Sequence, residues 1–98
     1  MTVTTIFKKE FSEIKGIQKE EAVSYSLSDT VIKGENVYGI EVSSLCGKKE
    51  MSESIHNISS SKEEVMSVIK YLYENSVKAE IFKDIVSDMY GIFIRNNL

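Results

Sequence analysis

A chain of 98 residues, 42% hydrophobic and 28% charged, has material for one hydrophobic core and a composition that argues against disorder. Its net charge of −3, with the signs interspersed, gives no long-range attraction to phosphate backbones or anionic lipid, so neither nucleic acid nor membrane is an expected partner. One cysteine and one histidine exclude an internal disulfide and a Cys/His zinc site, and no metal or cofactor is expected. There is no apolar run of membrane length and no signal-peptide pattern after Met1, so the expected location is the cytoplasm.

The expected organisation is a single domain over 1–98. Residues 1–20 form an ambiguous N-terminal segment, 21–58 carry strands, and 61–94 carry a helical pair. Phe7, Phe11, Ile14 and Ile17 recur at helical spacing. Thr2 to Ile6 nevertheless have strand propensity, and Gly16 sits badly in a helix, so an extra strand is the preferred reading. From Val23 to Ser28 apolar residues and serines alternate strictly. Val23, Tyr25 and Leu27 therefore share one face and three serines the other. This strand is expected to continue towards Val31 and Ile32, before a turn at Gly34 and Asn36. A second strand spans Val37 to Val42. Gly39 weakens its interior and marks a bulge or a close backbone approach. After a turn at Gly47, a third strand runs between Met51 and Ile58. Its two isoleucines, Ile55 and Ile58, are three apart, which predicts a bulge or an early end.

Ser61 with Glu64 fits a helix capping box, and Glu63 and Glu64 suit the positive end of the helix dipole. Val65, Val68, Ile69 and Leu72 cluster on the wheel, whereas Tyr71 falls among polar residues. Asn75 is expected to end this helix in the left-handed conformation. The next helix begins near Lys78 or Ala79. Ile81, Ile85, Met89 and Ile92 align along it, with Phe82, Val86 and Phe93 widening the arc. The expected fold class is α+β, a three- or four-stranded antiparallel meander followed by two packed helices.

Tyr38 to Val42, Ile58-Ser59 before a helix, and Asp84-Ile85-Val86 with Asp88 and Tyr90 together resemble an uncharacterised family of small proteins from clostridia and related anaerobic bacteria. The resemblance covers roughly residues 23 to 90. It implies the same element order and a bacterial cytoplasmic setting, and it brings no known activity. It also implies a proline at the start of the last helix, where this chain has Ala79.

Little else in the chain carries chemistry. Cys46 lies beside Gly47, Lys48 and Lys49, and lysines lower a thiol pKa. A Cys46–His56 nucleophile pair across a hairpin would lack an orienting third group. Asp84 and Asp88 share a helix face, a geometry for a divalent cation or proton exchange, but more often the solvated side of an amphipathic helix. Glu41 interrupts a β-rich segment and needs a partner only if its face is covered. The broad apolar arc of the last helix points to a non-enzymatic protein-interaction module whose partner is another protein or a second copy, as a homodimer. The candidate partner surface is Phe82, Met89, Tyr90 and Phe93 with Asp84 and Asp88. In a competing arrangement Phe7, Phe11 and Ile14 lie across the last helix and bury its excess. The alternative functions are a transcription-related nucleic-acid-binding protein and a small enzyme using Cys46 or Asp84/Asp88. Against the former, residues 61–90 carry four lysines and six acidic residues, a poor supply for a recognition helix. In an electrophoretic mobility shift at low salt the protein is expected to leave duplex DNA unshifted. Micromolar binding that weakens steeply with added salt would overturn this reading.

Overall fold

The computed structural model describes residues 1–12, 15–16 and 20–96, with residues 91–96 as backbone only. Four strands, β1 (Thr2–Phe11), β2 (Glu21–Ile32), β3 (Glu35–Cys46) and β4 (Lys49–Ser59), precede two helices, α1 (Lys62–Glu74) and α2 (Ala79–Asn96). The strands form one antiparallel sheet in the order β1-β2-β3-β4, a meander, and both helices pack on one of its faces. The fold is α+β with four strands. The ambiguous N-terminal segment supplies the fourth, because a separation of four between Phe7 and Phe11 satisfies the strand period as well as the helical one.

Alternation in β2 and β3 decides the layers. Val23, Tyr25, Leu27, Ile40 and Val42 are buried under the helices, where they meet Val65, Val68, Ile69 and Leu72 of α1 and Phe82 and Val86 of α2. Leu72 is fully buried and its neighbour Tyr71 is 47% exposed, as the helical wheel predicts. The opposite face of the sheet carries hydroxyls: Ser43 bonds Ser52 across strands at 2.9 Å, and Ser26 donates to Thr5. Glu41 is half-buried on this helix-free face, in register with Ser26 and Ser54.

Two bulges reset the alternation at the sheet edges. In β1, Thr5 faces Ser26 and Phe7 faces Tyr25, so Ile6 is an extra residue. That insertion turns Phe7, Lys9 and Phe11 onto the helix face, where simple alternation from Thr5 would point them away. In β4, Tyr38 pairs with Ser59 and Ile40 with Ile55, so three residues of β4 span the single Gly39 of β3. Ile55 and Ile58, an odd number apart, both reach the core as a result. Asn57 adopts a positive φ of 56° inside this bulge.

Helix α1 is capped by a relay of Ser59, Ser61 and Glu64. The Ser61 hydroxyl accepts from the Glu64 backbone N–H, Ser61 N–H donates to Ser59 Oγ, and the Ser59 hydroxyl donates to the Glu64 carboxylate at 2.7 Å. Ser59 thus stands between the two partners of the expected capping box. At the other end the expectation for Asn75 is corrected: its φ is −98°, and Ser76 takes the left-handed conformation at 51°. Val77 N–H bonds Leu72 O and Ser76 N–H bonds Tyr73 O, the paired bonds of a Schellman motif with serine in the usual glycine place. Ala79 N–H then donates to the buried Ser44 Oγ at 3.2 Å. A proline at this position has no N–H to offer, so alanine suits this chain.

Gly39 allows the β4 bulge to close over β3. A Cβ there would strike the Ile55 carbonyl oxygen and lie 2.6 Å from Ser28 Oγ and 2.8 Å from His56 Cα. Two of these neighbours are backbone and cannot rotate away. Gly39→Ala is expected to destabilise the protein by about 1–3 kcal/mol through this overpacking. A urea titration with a lowered midpoint and an unchanged m-value is the expected result.

Candidate functional site

The corner between α1 and α2 is held to the sheet by a set of polar contacts. Tyr25, fully buried on β2, donates its hydroxyl to Val77 O at 2.9 Å. Lys9 of β1 donates to Tyr73 O and to Ser76 Oγ, with its ammonium 4.6 Å from the Tyr73 ring centroid. Phe7 stacks on the other part of this cluster, 4.5 Å from the Tyr73 centroid. Lys78 pairs with Glu21 at 2.6 Å. These residues anchor the corner, and Glu21 also lines a hollow of about 220 Å³ with Glu10, Glu20, Ala22, Leu45 and Gly47.

Beyond the corner, α2 divides into sides. Ala79, Phe82 and Val86 face the core. Lys83 reaches Glu53 of β4 at 2.9 Å. A shallow cleft of about 200 Å³ lies between α2 and the β4 bulge, lined by Ile55, His56, Ile58, Val86, Ser87 and Tyr90. Burial raises the pKa of the Tyr90 phenol, assisted by the negative charge of Glu64. Such a phenol stays protonated and can only donate or accept a hydrogen bond at neutral pH. On the outward side, Ile85 and Met89 are half-buried and Ile81 is 49% exposed, while Glu80, Asp84 and Asp88 are exposed beside them.

The candidate partner surface changes accordingly. Phe82 is a correction: it is fully buried at the centre of the α2 packing and is core. Met89 and Tyr90 are half-buried at the rim of the core, and Asp84 and Asp88 are exposed on the solvent side. Phe93 lies outside the described side chains. Ile81, read from the sequence as part of the arc, is the most exposed of its members among the described side chains.

The other candidates are not brought together. Cys46 pairs with Lys49 at one end of β4, whereas His56 sits seven residues along that strand, roughly 20 Å away at about 3.3 Å per residue. The Cys46–His56 pair is thereby excluded. The competing arrangement, with the N-terminal segment across α2, is not seen for its described residues: Phe7 stacks on Tyr73 of α1, and Phe11 lies near Lys78 in the corner. Ile14 is outside the described residues. Among the described residues no group of three or more His, Cys, Asp and Glu side chains is arranged to hold a metal ion, and no helix is long and apolar enough to cross a membrane.

The geometry thus defines an α+β protein with a meander sheet, a two-helix layer and an apolar strip left at the layer's outer rim. Residues 4–92 match the family of unknown function DUF6514, and the chain belongs to that family. The match takes in β1, beyond the stretch that carries the resemblance seen in the sequence. No curated protein and no solved structure matches the chain significantly.

The corner has a pH signature. Burial pushes the Tyr25 phenol up to about 12 from an ordinary 10, with the charge of Glu21 and the neighbouring Tyr73 adding to the effect. The hydrogen bond to Glu21 raises Lys78. In both cases the folded state holds a proton that the unfolded chain releases sooner, so stability is full below the unfolded pKa and falls as pH rises through the folded one. Thermal melts are expected to lose stability between pH 10 and about 12. Tyr25→Phe should cost about 1–3 kcal/mol at neutral pH, by leaving Val77 O unsatisfied, and should flatten the alkaline loss. An alkaline slope unchanged in Tyr25→Phe would remove Tyr25 as its cause.

Proposed function

We propose that the protein is a non-enzymatic protein-interaction module of the bacterial cytoplasm, and that it presents the outward side of α2 to a protein partner. The observation that carries this reading is the exposure of Ile81 at the head of a line continued by Ile85 and Met89 at four-residue spacing. Ile85 and Met89 pack against the core on one side and are half-buried, so with the exposed Ile81 they form an apolar line that the fold covers only in part. Tyr71, also exposed, sits in the last turn of α1, at the end of the helical layer where α2 begins. Aromatic residues and methionine are types that interfaces favour. Two features argue against surfaces of other kinds. The lysines of the α2 half are engaged, Lys78 with Glu21 and Lys83 with Glu53, which leaves little basic charge for nucleic acid or anionic lipid. The carboxylates Asp84 and Asp88 face solvent without a converging third ligand.

A photo-crosslinking amino acid placed at Ile81, in cells that express the protein natively, tests the reading. Discrete protein adducts at Ile81, absent when the same group replaces Ser52 on the helix-free face of the sheet, are the expected result. An adduct of twice the chain's mass would identify the partner as a second copy. No adduct at Ile81, or the same adducts from Ser52, would refute the proposal.

A further inference from the structure

About 100° per residue sets the side chains of α2 around its axis in the order Glu80, Asp84, Asp88, Ile81, Ile85, Met89, and then the core line of Phe82, Val86 and Ala79. The apolar strip is therefore bordered on its solvent side by a continuous ridge of three exposed carboxylates. Among the described residues, none of these three makes an ion pair, whereas both lysines of this part of the chain are committed to the sheet by Glu21 and Glu53. The ridge is thus a fixed negative border beside an apolar line with i, i+4, i+8 spacing.

We infer that the strip receives an amphipathic helix from another protein, apolar on one side and carrying lysine or arginine along the border that meets Asp84 and Asp88. The inference rests on the interaction reading above and adds the chemistry of the partner. An i, i+4, i+8 line of apolar side chains fits a partner helix by ridges-into-grooves packing. The carboxylate ridge supplies charge complementarity along one border, which sets orientation and favours a basic partner over an acidic one. A second copy of this chain fits less well. A two-fold antiparallel pairing of α2 strips brings the two acidic ridges to the same side of the contact, where like charges repel. Anionic lipid is repelled by the same ridge.

The test uses the whole protein and two synthetic helical peptides with the same leucine face, one flanked by lysines and the other by glutamates. Fluorescence anisotropy at low salt is expected to give at least about tenfold tighter binding of the lysine peptide, a gap that closes as salt is added. The double variant Asp84→Lys/Asp88→Lys is expected to reverse the preference, and Ile81→Ser to weaken both peptides. Glu35→Lys, on the β2–β3 hairpin and outside the α2 strip, is expected to change neither. Both Ile81 and the two aspartates are exposed, so these variants keep the core intact. Equal binding of the two peptides, or an equal effect of Glu35→Lys and the double variant, would overturn the inference. If Ile81 crosslinks persist in that event, the interaction surface stands and only the basic partner falls. If Ile81 also yields no crosslink, the interaction reading falls with it.

Discussion

A buried phenol on the second strand and a backbone carbonyl in the helix corner hold the two layers in register. Tyr25 lies on β2, one of the two inner strands, and its hydroxyl meets Val77 O just after the Schellman turn. A buried carbonyl without a partner is costly, so the corner is stable only where Tyr25 can reach it. Leu72, Val77 and Ala79 are buried around that point, and Ser44 receives the first N–H of α2 beside it. The position of α1 relative to β1, and the starting point of α2 over β3, both follow from this contact. Lys9, stacked over Tyr73 and bonded to its carbonyl, ties the edge strand into the same corner.

The bulges do the complementary work at the sheet edges. Among the described residues β1 and β4 have no neighbouring strand on their outer sides, and long regular edges invite further strand pairing. The extra residue at Ile6 and the three-residue excursion opposite Gly39 break both edges and increase local twist. They also decide which residues meet the helices. Phe7 would otherwise miss Tyr73, and Ile58 would miss the core. The bulge in β4 builds one wall of the cleft against α2, so Gly39, which has no side chain, shapes a surface on the opposite edge of its neighbour strand.

The functional reading follows from what α2 has left over. A helix fixed at its N-terminus by the corner and at Lys83 by Glu53 can bury only the side that faces the sheet. Phe82 and Val86 occupy that side fully. The apolar residues one helical step outward are then left at the rim beside acidic neighbours. The candidates for chemistry, by contrast, are dispersed, with Cys46 at the β3–β4 hairpin, His56 seven residues along β4 from its partner Lys49, and the aspartates on the solvent side of α2.

Regular alternation and helical periodicity made β2, β3, α1 and the core position of Leu72 legible in the sequence, because each depends on neighbours within a few residues. The Ser61 cap was legible for the same reason. The even spacing of Phe7 and Phe11 fitted both a strand and a helix, and only pairing with β2 chose between them. Gly39 and the Ile55–Ile58 interval announced a bulge, but its size and the residue it crosses required β3 to be in place. Likewise the wheel showed that α2 is apolar over a wide arc without showing which part of the arc the sheet would take. That choice was made by Tyr25, Ser44 and Glu53, residues remote in sequence whose contacts with Val77, Ala79 and Lys83 exist only once the layers meet. Composition and local periodicity determined the elements and the inner faces of the central strands; long-range hydrogen bonds and packing decided the register, the corner and which side of α2 is covered.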